Sequence, residues 1–239
     1  MDAIIWEGSG SPWRGATWGG PVAARLTALG LRTRTVPWGA SGLVHRGRPD
    51  VLHVFSGGME PVASESPEMA DRMGAVTAAV VAAGEGSCSV LGICLGAQMI
   101  AAAASGLEPV PATGGGEAGT TTVRSQHPDV PDIVVGTAHT HEVPRRFLAG
   151  DGVEHLWAND VTRVQGFRLG GRVVGVQFHP ELSGPEAGRA SRAFRRALGA
   201  PPAHDATDEV DPAVAMGAVL VLAGVGAPTV AEGAPAEPA

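Results

Sequence analysis

The sequence predicts an α/β protein with a central, mostly parallel sheet flanked by helices. Short apolar runs alternate with helical patterns through the first half of the chain, as strand–helix repeats require. Helical patterns tend to open near a proline and close on a glycine, which suits helix ends. With 239 residues, 44% apolar and 17% charged, the chain can bury a substantial core.

Residues 3–6 read as a first strand. Residues 21–29 follow as a helix with Val22, Leu26 and Leu29 on one face and Gly30 as its stop. Residues 32–36 and 51–55 read as two more strands. Met69, Met73, Val76 and Val80 share one face of a helix over 67–84. Residues 89–93 form a short buried strand running directly into Cys94, and 95–104 a helix closed by Ser105-Gly106. From 107 to 178 the pattern changes to valine-rich runs, with strands expected over 120–123, 132–135, 161–167 and 172–178. Residues 113–119 read as a surface loop. A last helix is expected over 185–198, with Phe194 and Leu198 inward and Gly199 ending it. The expected catalytic domain therefore covers 1–199.

Residues 200–239 change character, carrying six prolines, six acidic residues and no arginine. They read as a Pro/Ala-rich acidic extension interrupted by an apolar stretch over 213–227. Gly217, Gly224 and Gly226 weaken any helix there. Two readings stand for it: a partly ordered segment packing on the domain, or a docking segment for a partner.

Composition excludes several chemistries. All 17 basic residues are arginines and tyrosine is absent, so Schiff-base lysines, phosphate-loop lysines and tyrosine acids are unavailable. A formal net charge of −7 without a basic stripe gives no support for nucleic-acid binding. No apolar run reaches the roughly 18 residues of a membrane helix, and the first residues lack the pattern of a secretory leader. Cys88 and Cys94, with five residues between them, make no disulfide framework, and the expectation is a reduced cytoplasmic protein.

Three segments carry chemistry. In Val90-Leu91-Gly92-Ile93-Cys94-Leu95-Gly96-Ala97-Gln98, a cysteine stands between a strand and a helix, where a nucleophile elbow places its side chain on a tight turn. The helix start offers partial positive charge to a thiolate. In Gly175-Val176-Gln177-Phe178-His179-Pro180-Glu181, an extended backbone would put His179 and Glu181 on one side, so the carboxylate can orient the imidazole. His53-Val54-Phe55-Ser56-Gly57-Gly58 is a strand ending in a glycine pair able to aim a backbone N–H at an oxyanion. Each alone has a plainer reading, as a glycine-rich turn, a strand end or a loop.

Together the three resemble the class I, or triad, glutamine amidotransferases, especially stand-alone members similar to the glutaminase domain of GMP synthase. The resemblance runs from the first strand to about Gly199. It implies a flavodoxin-like fold and a glutaminase with Cys94 as nucleophile, His179 as acid–base and Glu181 as its orienter. It also implies an oxyanion hole from Gly58 and Leu95, with Gly57 and Gln98 at the glutamine pocket. Thr140 and His141, in Ala138-His139-Thr140-His141-Glu142-Val143, fall on the loop that meets the amino-acid end of glutamine. The implied ligand is L-glutamine, no cofactor or metal is implied, and ammonia would pass to a separate acceptor synthetase or amidase subunit. One departure is Met59, where the family commonly has proline.

Weaker signals remain. His139 and His141 could share a metal with His155 or Glu142, but no third ligand has firm spacing. Glu117-x-Gly119 matches a short family signature. Cys88 reads as a buried structural thiol. The same fold and triad also serve γ-glutamyl peptide or amide hydrolysis, and a non-catalytic regulatory subunit is a further alternative.

Overall fold

The computed structural model describes residues 1–37, 48–198 and 209–226. Within them the chain forms β1 (Asp2–Trp6), α1 (Gly19–Ala28), β2 (Arg32–Val36), β3 (Val51–Phe55), α2 (Pro67–Gly84), β4 (Ser89–Ile93) and α3 (Leu95–Ser105). The second half adds β5 (Val110–Pro111), β6 (Glu117–Ser125), β7 (Ile133–His139), β8 (His141–Glu142), β9 (Val153–Ala158), β10 (Gly166–Leu169) and β11 (Val173–Val176). It ends with α4 (Gly184–Leu198) and α5 (Pro212–Leu222).

Nine strands join in the order β2-β1-β3-β4-β11-β10-β9-β6-β7. The first five pair in parallel and the rest antiparallel. The predicted central, mostly parallel sheet flanked by helices is therefore the observed fold. Side-chain alternation along the parallel strands separates two cores. Ala3, Ile5, Leu52, Val54, Leu91 and Ile93 face α1 and α5. Ile4, Trp6, Val51, Phe55 and Val90 face α2 and α3. Burial on both faces explains why these strands read as continuous apolar runs.

α2 starts where Ser66 accepts the Met69 N–H at 3.0 Å and Pro67 follows at the first helical position. α5 starts in the same way. Asp211 Oδ1 accepts the N–H groups of Ala213 and Val214, at 2.8 and 3.2 Å, and Pro212 follows. Six apolar residues of this segment, Ala215, Met216, Val219, Leu220, Ala223 and Val225, belong to the core shared with α1.

Several expectations for 107–178 need correction. Residues 113–119 are not one surface loop. Residues 113–115 make a single 3-10 turn, while Glu117 begins β6 and is fully buried. The strand expected over 161–167 starts only at Gly166, because the Val161 and Thr162 N–H groups turn back to Asn159 Oδ1, at 3.1 and 2.6 Å. The last strand stops at Val176. Gly199 and the Leu198 side chain lie outside the described residues.

Candidate active site

Cys94 sits at the carboxyl ends of the parallel strands, where open α/β sheets place their ligands. Its φ of 52° and ψ of −105° make it the one non-glycine residue with positive φ among those described. Such a backbone costs on the order of 1–3 kcal/mol and persists only where neighbours hold it. Here the Cys94 N–H donates to Val176 O at 2.8 Å, and its carbonyl accepts from Gln98 N at 3.2 Å. The turn is tight enough to need glycine on both sides. A Cβ on Gly96 would run into the Phe55 carbonyl, and one on Gly92 would lie 2.6 Å from Gly96 C.

β11 lies beside β4 and delivers His179 next to Cys94. The His179 N–H donates to Gly136 O at 2.8 Å, and Nδ1 meets Glu181 Oε1 at 2.8 Å. The link between them is a turn closed by Leu182 N–H on His179 O at 3.3 Å, not the extended strand expected from the sequence. Arg25 supports that turn, donating from Nε to Glu181 O at 3.1 Å while its other nitrogen pairs with Glu186 at 2.7 Å.

His179 Nε2 is buried without a hydrogen-bond partner, and the Cys94 thiol is the group within its influence. Catalytic hydrogen bonds are often loose before substrate binds. Burial pulls the His179 pKa down, but the Glu181 charge and then Cys94 outweigh it and hold the pKa up at about 10. Linkage then fixes a sign. The stability from this imidazolium is complete below the unfolded value of about 6.5 and is lost as pH rises through the folded value. Glu181→Gln should therefore melt below the wild type by the largest margin near pH 6, with the gap shrinking steadily toward pH 10. Its loss of activity should also be smaller than that of His179→Ala. An equal melting gap at both pH values would contradict this assignment of charge.

A cavity of about 330 Å³ opens beside Cys94. Gly58, Leu95, Gln98, Thr140 and His141 all line it. Gly57 does not; it is buried between Trp18 and the His179 ring edge. The Leu95 amide is the first of α3 and so has no intrahelical acceptor. The Gln98 amide nitrogen donates to His141 O at 2.9 Å and to Gln177 Oε1 at 3.1 Å, which leaves its carbonyl oxygen to accept. Gln177 in turn reaches the Cys94 sulfur at 3.5 Å, a contact to which sequence reasoning gave no role. The Thr140 hydroxyl and His141 Nδ1 are 3.0 Å apart. Met59 donates its N–H to Ser9 O at 3.0 Å, a bond that proline at this position could not make.

Behind the cavity wall lies a buried polar block. The Glu117 carboxylate accepts from Asn159 Nδ2 at 2.6 Å, Thr162 Oγ1 at 3.0 Å and Gln165 Nε2 at 2.6 Å. Since Thr162 spends its proton on Glu117, His139 Nε2 must donate to Thr162 (2.8 Å) and Nδ1 accept from Thr137 (3.0 Å). His139 is thus a neutral, fully bonded imidazole. Burial first, and then the neighbouring His179 and His141, push its pKa down to about 3. His155 Nε2 is engaged by the Trp157 and Arg163 carbonyls, and Glu142 by the Arg163 N–H. Among the described residues no three His, Cys, Asp or Glu side chains are grouped to hold a metal ion.

The fold and this cysteine site define a class of protein, and comparison with known proteins agrees. Residues 21–195 match the family model described as glutamine amidotransferase class-I, so the chain belongs to that family. The fold is similar to that of a glutamine amidotransferase from Thermotoga maritima, with 19% identity, 94% of each chain covered and a TM-score of 0.63. It is also similar to a candidate GMP synthase subunit from Thermoplasma acidophilum, with 24% identity, 82% of this chain and 94% of that one covered, and a TM-score of 0.60. A chain in the structure of PurLQS from Thermotoga maritima aligns at 16% identity over 82% of this chain and 96% of that one, with a TM-score of 0.52. No curated protein matches. No helix among the described residues is long and apolar enough to cross a membrane.

Proposed function

We propose that this protein hydrolyses the side-chain amide of L-glutamine, releasing ammonia for a separate acceptor enzyme. The observation that carries the reading is the positive-φ Cys94 at the head of α3, with the paired His179 and Glu181 beside it and a cavity in front. The Cys94 sulfur attacks the carboxamide carbon, and the carbonyl oxygen takes the negative charge. The N–H groups of Leu95 and Gly58 stabilise that charge. His179 gives its proton to the departing nitrogen, the carbon–nitrogen bond breaks, and ammonia leaves a glutamyl thioester. His179 then removes a proton from water, which attacks the thioester and regenerates the thiol with glutamate. Glu181 keeps the imidazole in the orientation that both transfers need. Gln98, Thr140 and His141 hold the amino-acid end of the substrate.

Similarity to a candidate GMP synthase subunit, and to a chain of PurLQS, supports a partner-dependent enzyme. Uncontrolled hydrolysis wastes glutamine, so the isolated chain is slow, and one disordered oxyanion donor would lower the rate about 10²–10³-fold. Glutamine turnover should rise when the acceptor enzyme and its substrate are added. Excess ammonium should let that acceptor work with Cys94→Ala. Rapid cleavage of a γ-glutamyl dipeptide by the isolated chain, with little glutamine turnover under either condition, would replace this reading with a γ-glutamyl hydrolase.

A further inference from the structure

One face of the His179 imidazole is covered by Trp18. Their ring centroids are 5.2 Å apart and the planes tilt by only 22°. Trp18 is 2% exposed and ends the loop between β1 and α1. That loop is pinned at three places. The Glu7 carboxylate accepts the Gly19 N–H at 2.7 Å. Ser9 O accepts the Met59 N–H at 3.0 Å. Trp13 packs on Leu182, Ala187 and Ala190, with the Arg189 guanidinium 5.3 Å from its ring centre. The stack is therefore fixed from both sides of the site.

Gly57 lies at the edge of this stack. A Cβ there would stand 2.9 Å from Trp18 Cε3 and 3.0 Å from His179 Cε1. The nearest atoms such a Cβ would meet belong to these two rings, so the missing side chain makes room for the stack.

We infer that Trp18 is a positioning residue for His179, its indole face holding the imidazolium in place against Cys94, and that Gly57 supplies the clearance the stack needs. The inference rests on the amidase reading above. The indole face is electron-rich and attracts a cation, so it favours the protonated ring that donates to the leaving group. The other groups facing the ring are the Glu181 carboxylate at Nδ1, the Cys94 thiol and the neutral His139; Arg25 reaches the Glu181 backbone oxygen and pairs with Glu186.

The test titrates His179 by nitrogen-15 imidazole NMR in the full chain, with steady-state kinetics beside it. Trp18→Leu should lower the His179 pKa by roughly half a unit to one unit, as expected for losing a desolvated cation–π contact. It should lower kcat about tenfold with KM changed less than about twofold, the pattern of an interaction used in the transition state. Trp18→Phe, which restores an aromatic face, should recover most of both. Gly57→Ala should behave like Trp18→Leu, and it carries the test if Trp18→Leu does not fold. An unchanged titration in the folded variants, or a raised KM with kcat intact, overturns the inference. A wild type that turns over no glutamine even with the acceptor enzyme and its substrate present would defeat the amidase reading instead, while the titration would still report on the stack.

Discussion

Cys94→Ala is expected to abolish glutamine hydrolysis while the chain stays folded. The rate should drop by about 10⁴-fold or more, the scale set by removing a triad nucleophile. Folding should survive because the strained backbone at φ 52° already carries a Cβ, and alanine adds no new clash. An electrophilic glutamine analogue should label the wild type at Cys94 and leave the variant unlabelled. Cys88 is the internal control. It is fully buried, its sulfur bonds only to Ala79 O at 3.6 Å, and burial lifts its pKa to about 11. Such a thiol is almost wholly protonated at neutral pH and reacts slowly. Labelling of Cys88 at a comparable rate, or full activity in Cys94→Ala, would remove Cys94 from the role.

The parts of this protein that were legible in the sequence are those fixed by local signals. β2, β3, α2 and β4 occupy the residues expected of them, because prolines, glycines and runs of one hydrophobic period bound each element. Cys94, His179 and Glu181 could be picked out because their neighbours announce a tight turn and a strand end. What the sequence hid depends on distant contacts. β9 carries Glu154 and His155 on a half-buried strand, so no clean apolar alternation marks it. Glu117 resembled loop sequence because a carboxylate beside glycines has low strand propensity. Thr162, Asn159 and Gln165, far along the chain, help to make its burial tolerable. Trp18 carried no motif, and its relation to His179 exists only once β1 and β11 lie in one sheet. Gly57 was expected at the pocket on family resemblance; that a Cβ there would meet the Trp18 and His179 rings could not be read from its place in a motif, which does not say which way its neighbours crowd.

The expected domain boundary at residue 199 is open to a direct experiment on α5. We propose that this helix is a structural part of the catalytic unit rather than a detachable tail. Met216, Val219, Leu220 and Ala223 are all 0% exposed, and they share one core with Val22 and Leu26 of α1 and Val135 of β7. Of the glycines that weakened the sequence case, Gly217 stands inside α5 and costs it about 1 kcal/mol. Gly224, at φ 72°, lies just beyond the helix end, where Val225 donates back to Leu220 O at 3.0 Å. Removing one buried Leu or Met side chain typically costs about 2–5 kcal/mol, against a total stability of about 5–15 kcal/mol for a domain. Deleting 204–239 removes several such side chains at once and uncovers their partners on α1 and β7. The shortened chain is therefore expected to lose cooperative thermal unfolding, and Leu220→Ala to stay folded but melt several degrees lower. The main contacts of α5 run to α1 and β7, so Leu220→Ala should keep wild-type kcat at temperatures well below its melting point. Cooperative melting of the shortened chain within a few degrees of the full-length protein would place the boundary at 199 and make α5 an appendage.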